Sequence, residues 1–358
     1  MIYSIYPQQD STLYEVSESL NSGIDQILEL RHDITDTNTI YNSRILIKFN
    51  LDNINRVISE NSAQNPQFYL KLTSVDARQL PSITDIEIYP LSGSWNMGLG
   101  KLDNKPKTTN GVSWKYKLDE DSGVIWNTGS LTGNVTSSYK SNPGGGIWYT
   151  GSTYEASQSL TFESINIRSN VTSIVNEWIS GSIENDGFIL KRSDSDESTL
   201  SKSQNLSYYS VESNTIFVPR LEILWDDSTI NTGSIAEVSE SINISPRLRD
   251  FYTREGTYKV YINARKKYPQ RTFATSSAYI TNYHLPTSSY YQIEDHRTGE
   301  VIIPFDTTGT KLSVDSNGSY FKLMPDTFMP KRFYKVIFKV VTTDTIEYFD
   351  NEYTFKVK

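Results

Sequence analysis

Hydrophobic and polar residues alternate with a period of two in Arg44-Ile45-Leu46-Ile47-Lys48-Phe49, Phe68-Tyr69-Leu70-Lys71-Leu72, Asp85-Ile86-Glu87-Ile88-Tyr89 and Leu221-Glu222-Ile223-Leu224-Trp225, each run bounded by turn residues. That period puts successive side chains on opposite faces of an extended chain, so each run reads as a strand with one face in a core. Further strands are expected over 257–263, 272–281, 290–295, 300–305, 319–323, 333–342 and 346–357, the last two joined as a hairpin across Thr343-Asp344-Thr345. Phe338, Val340, Tyr353, Phe355 and Val357 alternate to supply core for that pair. One segment has a different period. Val171, Ile174, Val175 and Trp178 fall on one helical face, with Asn170 placed as an N-cap and Gly181 just past the end. A two-turn helix closing one mouth of a sandwich is expected there, with an irregular strand as the alternative.

Long polar stretches separate the strands at 103–110, at 127–146 with its Pro143-Gly144-Gly145-Gly146 run, and at 193–205. A Ser/Thr/Asn-rich stretch after Trp225 reads as a linker. The expected organisation is therefore all-β: an N-terminal β-sandwich over 1–226, a linker over 227–245, and a C-terminal Ig-like β-sandwich over 246–358. At 358 residues, about two domains of roughly 150 residues is also the length expectation. Composition agrees, because 24 Tyr, 14 Phe and 6 Trp fit a pleated, half-buried surface better than a helix. With 34 Lys+Arg against 42 Asp+Glu, the net charge of -8 gives the whole molecule no electrostatic grip on nucleic acid phosphates. The absence of cysteine removes disulfides, thiolate nucleophiles and Cys-type zinc sites. No run approaches the ~18 apolar residues of a membrane span, and the first residues lack a secretory pattern, so neither a membrane nor a nucleic acid is an expected partner.

The order of features over the first ~225 residues resembles the DNRLRE-type jelly-roll module. Asp10-Ser11-Thr12-Leu13-Tyr14-Glu15 looks like the opening strand, Asn21-Ser22-Gly23 like the following turn, and Ser43 to Phe49 like the central "R-x-L-x-x-F" strand. Leu70-Lys71-Leu72, Ser94-Trp95-Asn96 and Val112-Ser113-Trp114 follow in order. Asn170-Val171-Thr172 with Val175 and Trp178 looks like the "D-V-T-x-x-V-x-x-W" helix, with Asn where the family often has Asp. Asn185 to Leu190 and Pro219 to Ile223 complete the set. The resemblance implies a jelly-roll fold, which hosts many unrelated roles. The opening Ile-Tyr-Pro and the Tyr-rich C-terminal sandwich with Leu285 to Tyr291 also look like structural proteins of tailed-phage virions. That likeness implies a virion component of the neck or collar, tail or baseplate. It would be made in the host cytoplasm and would contact other virion proteins in a multi-copy symmetric assembly.

Candidate chemistry is sparse. No G-x-S-x-G elbow, H-E-x-x-H helix or glycine-rich phosphate loop occurs, so no catalytic residue, cofactor or metal site is expected. His32, His284 and His296 lie in separate segments and read as loop or surface residues. Asp119-Glu120-Asp121 and Asp194-Ser195-Asp196-Glu197 offer oxygen ligands for Ca²⁺ but lack EF-hand spacing, and read as solvated loops. Arg265-Lys266-Lys267 with Arg271 reads as a solvated strand end. Carboxylates are too numerous to single out the pair that glycoside hydrolysis needs. Trp95, Trp114, Trp126 and Trp148 sit in or beside polar loops, where three roles are open: a protein interface, ordinary core packing, or stacking on a glycan. Trp178 and Trp225 read as core. The function expected first is a non-enzymatic virion component, and the alternative is a carbohydrate-binding module of a surface adhesin or receptor-binding fibre.

Overall fold

The computed structural model describes residues 1–80, 82–118, 123–126, 131, 133–137, 144–200, 203–238, 241–268, 283–342 and 344–358. The protein is all-β with a few short helices. Its chain divides into two units, one comprising Ile5–Asn61 and Gln67–Glu222, the other Met1–Ser4, Ser62–Pro66 and Ile223–Lys358.

In the larger unit the main sheet runs, in spatial order, Ala156–Leu160, Thr84–Pro90, Phe188–Arg192, Ile40–Lys48, Ile27–Ile34, Gln204–Tyr209 and Ser74–Arg78, with Gln9–Tyr14 also pairing with Ile40–Lys48. The strands Arg220–Leu224, Gln67–Leu72 and Ile167–Asn170 are neighbours in a smaller sheet. The alternation predicts one buried face per strand. Instead, Phe188–Arg192 and Arg220–Leu224 are buried at every position, and Ile40–Lys48 is buried from Asn42 to Ile47. Central strands covered on both sides lose the solvent face that alternation assumes.

Helix α1 (Leu51–Asn61) has no counterpart among the expected elements. Asn50 Oδ1 accepts from the Asp52 and Asn53 amides at its start, and Leu51, Ile54, Val57 and Ile58 give it an apolar stripe at helical spacing, of which Ile54 and Val57 are buried. Helix α2 (Thr172–Ser180) is the expected two-turn helix. The Asn170 side chain accepts from the Thr172 amide at 3.0 Å, although Val171 is the capping residue, and Gly181 closes the helix at φ 75° in the left-handed conformation. Trp178 of this helix packs on Phe188 of the main sheet, with ring centroids 4.6 Å apart.

The smaller unit stacks two sheets. One has the order Ile242–Pro246, Tyr258–Lys266, Gly318–Leu323, Ser313–Asp315, and the other Phe251–Tyr252, Ile346–Val357, Phe333–Val341, Ser289–Asp295, Val301–Ile303. Phe321 from the first meets Tyr291 and Phe338 from the second, at centroid distances of 4.6 and 6.0 Å. The expected hairpin is present as the antiparallel pair Phe333–Val341 and Ile346–Val357, and Phe338, Val340, Phe355 and Val357 are buried as expected. The strand expected over 272–281 and the turn residue Thr343 lie outside the described residues.

The boundary differs from the expected 1–226 and 246–358. Residues 227–245 are part of the smaller unit: Val238 is in its core, Ile230 bridges to Val314, and Glu237 bridges to His284. Polar composition suits a linker, but here the backbone of that stretch is hydrogen-bonded, as in Asn231 N donating to Val314 O. Met1–Ser4 also joins this unit, the Met1 ammonium donating to Trp225 O and Asp227 Oδ1.

Asp10 is a fully buried carboxyl in the larger unit, receiving hydrogen bonds from Val211 N at 2.7 Å and Ser210 Oγ at 3.1 Å. Burial is the dominant influence and pushes its pKa up to about 7 despite those donors, with Glu212 adding repulsion. The folded state therefore holds a proton that the unfolded chain releases near pH 4. Stability contributed this way is complete below about pH 4 and declines as pH rises towards 7, by at most about 4 kcal/mol. Asp10→Asn, which keeps an acceptor for Val211 N, is expected to gain stability over the wild type progressively between pH 4 and 7. Urea unfolding of both chains at four pH values, followed by tryptophan emission, checks this, and a pH-independent difference contradicts it.

Candidate functional site

Register pairing of the main sheet brings the same-face residues Leu13 and Arg44, Ser11 and Leu46, and Ile189 and Leu46 together. Alternation adds Lys191 and Tyr89 to that face. Residues between Leu91 and Trp148 cover it: Leu91, Trp95, Val112, Trp114, Trp126, Ile147 and Trp148 pack with Leu13, Leu46, Tyr89 and Ile189 in one apolar cluster. All four rings are inside, with exposures of 5%, 1%, 1% and 4%. Of the three roles open to them, the structure supports core packing and corrects the expectation of loop-displayed rings. Their neighbours in sequence are polar because the covering segment is polar outside, while the rings reach inward to the second face of the sheet. Trp178 and Trp225 are buried as expected.

Arg44 is the polar centre of this cover. Its guanidinium carbon lies 4.9 Å from the Trp114 ring centroid and 5.1 Å from that of Trp148. Nε and Nη2 donate to the two oxygens of Glu197 at 3.0 and 2.6 Å, and Nη1 donates to Gly145 O at 2.7 Å. Both side chains of the pair are sealed from solvent, at 0% and 1% exposure. Desolvation opposes the charge, but the Glu197 carboxylate outweighs it, and with help from Glu15 and Asp194 the guanidinium is more basic than a free arginine. A bidentate pair between aromatic faces is the geometry in which arginine is hard to replace.

The glycine run explains how the backbone reaches this centre. Gly144, Gly145 and Gly146 have φ of 141°, 75° and 93°. A Cβ on Gly145 would stand 2.7 Å from Arg44 Nη1 and 2.8 Å from the Trp114 ring. Only glycine permits both the left-handed turn and the close approach.

Glu197 comes from the short helix α3 (Asp194–Ser198), so the acidic run 194–197 is not the solvated loop expected. Its first carboxylate pairs with Lys191 at 2.7 Å, and Lys191 also pairs with Glu87 at 2.9 Å. His32 is likewise buried rather than at the surface: Nε2 meets Thr199 O and Nδ1 meets Asn42 Oδ1, both at 2.8 Å, while Asn42 Nδ2 donates to Glu197 O. These bonds tie the chain on either side of α3 to the sheet. His284 is buried too, with Nδ1 at 2.9 Å from Leu285 O, and only His296 is exposed as expected. Asp119-Glu120-Asp121 and Arg271 lie outside the described residues. Among the described residues no group of three His, Asp or Glu is placed to hold a metal ion. The Arg44 assembly has its cation, its anion and its aromatic faces already satisfied by one another. Its chemistry is that of a structural pin.

The surface differs. On the smaller unit, Phe333, Lys335, Ile337, Lys339 and Val341 form the outer side of their strand, opposite the buried side of Tyr334, Val336, Phe338 and Val340. Register adds Ile346, Tyr348 and Phe251 to that outer face. Phe251, Phe333, Ile346 and Tyr348 are 48%, 51%, 57% and 60% exposed. Lysines flank the rings, Lys356 at 5.3 Å from the Phe333 centroid and Lys358 at 3.4 Å from that of Phe251. Sequence reasoning passed over this face, because each residue is an unremarkable member of an alternating strand.

Glu197→Gln keeps the shape but leaves the Arg44 charge uncompensated, and is expected to destabilise the larger unit by about 3–5 kcal/mol. Gly145→Ala is expected to destabilise it as well, through clash and strain. Both variants are read by urea unfolding with tryptophan emission, where a loss under about 1 kcal/mol for Glu197→Gln contradicts the structural role. No protein-family model and no curated protein matches the chain.

Proposed function

We propose that the protein is a non-enzymatic structural component of a tailed-phage virion, placed in the neck or collar, tail or baseplate. In this reading the larger unit is a jelly roll of the DNRLRE type and the smaller one an Ig-like sandwich. The protein is made in the host cytoplasm and built into a multi-copy symmetric assembly with other virion proteins. One observation carries the proposal: the buried charges Arg44, Glu197 and Lys191 of the larger unit are paired internally, whereas the outer face of the five-stranded sheet displays Phe251, Phe333, Ile346 and Tyr348 to solvent. Exposed clusters of large apolar and aromatic side chains with a polar rim are what subunit contacts use.

The second reading, a carbohydrate-binding module of a surface adhesin or receptor-binding fibre, does not run through Trp95, Trp114, Trp126 and Trp148, whose rings are buried. A polar groove on the larger unit is the feature that favours it, lined by Arg31, Arg78 and Asn205 among others.

The double variant Phe333→Lys, Tyr348→Lys alters only exposed positions and is expected to fold with an unchanged circular dichroism spectrum while its incorporation into particles falls at least about tenfold, a loss of about 1.4 kcal/mol or more per contact. Quantitative mass spectrometry of purified particles checks it. Wild-type incorporation of the variant refutes the role of this face, and absence of the wild-type protein from particles refutes the virion reading.

A further inference from the structure

Three antiparallel neighbours of the main sheet, Ile27–Ile34, Gln204–Tyr209 and Ser74–Arg78, are in a register that aligns side chains of a kind the Arg44 assembly does not use. Asn205 stands opposite Arg31 on one side and Arg78 on the other. One row along, Ser207 stands opposite Glu29 and Asp76. Directly opposed residues share a face, so two guanidiniums flank an amide in one row and two carboxylates flank a hydroxyl in the next. Strand spacing puts the two arginine Cα atoms about 10 Å apart.

Each arginine is steadied by the acid two positions before it, Arg31 Nη2 lying 2.8 Å from Glu29 Oε2 and Arg78 Nε 2.9 Å from Asp76 Oδ2. Those pairs occupy only part of the five N–H donors that each guanidinium carries. Asn205 Nδ2 donates to Glu29 Oε1 at 3.2 Å, and among the described residues Asn205 Oδ1 and Arg31 Nε are shielded from solvent without a partner. Unpaired polar atoms in such a position are costly, and they mark the wall of the groove as incompletely satisfied by the protein's own side chains. The groove here has a volume of about 370 Å³ and is also lined by Asp33, Gln79 and Ser203, which places it at the small end of ligand pockets, roughly 300–1,000 Å³.

We propose that this groove is a binding site for an uncharged saccharide. The lining interleaves donors from guanidinium and amide with acceptors from carboxylate, amide and hydroxyl, and sugar hydroxyls, which both donate and accept, complement that mixture. Arg31 and Arg78 are balanced by Glu29, Asp76 and Asp33, so a polyanion gains no net attraction. The lining residues offer no large apolar anchor of the kind protein interfaces centre on. The proposal rests on the carbohydrate-binding reading and gives it a location away from the tryptophans.

The test is titration of the full chain with maltotriose, cellotriose and the N-acetylglucosamine trimer, and with a hexuronate trimer as the charged comparison, followed by ligand-observed NMR. Saturable binding of a neutral trimer is expected, weakened at least about tenfold in both Arg78→Ala and Asn205→Ala and unchanged in Arg265→Ala, with thermal unfolding confirming that each variant is folded. If a neutral trimer binds and neither groove variant weakens it, the groove is refuted while the carbohydrate reading stands. If none of the neutral trimers binds, both fail. Preference for the hexuronate trimer refutes the uncharged ligand class.

Discussion

A guanidinium sealed beneath a protein surface must find a counter-charge and acceptors for its N–H groups, and Arg44 draws both from distant parts of the chain. Glu197 takes two of its N–H groups, Gly145 O takes another, and the cation lies against two indole rings, those of Trp114 and Trp148. Those partners come from three stretches of chain: helix α3, the glycine run with the adjoining Trp148, and the interior of the covering segment at Trp114. Satisfying one buried charge therefore fixes the path of three otherwise irregular segments. The carboxylate side depends equally on the arginine, because a buried acid without its partner carries the same desolvation cost.

The consequence spreads through the larger unit. A main sheet whose central strands are covered on both faces needs a second apolar layer, and the tryptophans between Leu91 and Trp148 supply it. Lys191 repeats the arrangement on a smaller scale, its ammonium 5.9 Å from the Trp148 centroid and paired to Glu87 and Asp194. His32 and Asn42 then tie the chain around α3 to the strands beside it. The described stretches around Trp95, Trp114, Trp126 and Trp148 are consequently built parts of the core.

Two sheet faces differ in their chemistry. The outer side of the five-stranded sheet is aromatic and aliphatic with lysines interspersed, chemistry suited to another protein surface. The Arg31–Asn205–Arg78 row is polar and close to charge-balanced, chemistry suited to hydroxyls. A scaffold with one adhesive face and one hydroxyl-matching groove is consistent with a particle component that both packs and touches a glycan.

The sequence by itself determined the all-β class, fewer than half of the strands, the α2 helix with its closing Gly181, and the C-terminal hairpin. All of these are local signals of period, turn chemistry and capping, which need no knowledge of what lies opposite. It did not determine what became of the polar positions within those strands. Arg44 and Lys191 occupy the places that alternation assigns to solvent, and Glu197 and His32 sit in stretches whose composition reads as loop. Whether such a residue is hydrated or sealed depends on what covers it, and much of that cover comes from distant stretches of the chain, as with Glu197 and Gly145 on Arg44. The same holds for the four tryptophans and for residues 227–245, whose polar composition describes side chains and says nothing of where the backbone finds its hydrogen bonds. Burial is a property of the assembled layers, and only the tertiary structure decides it.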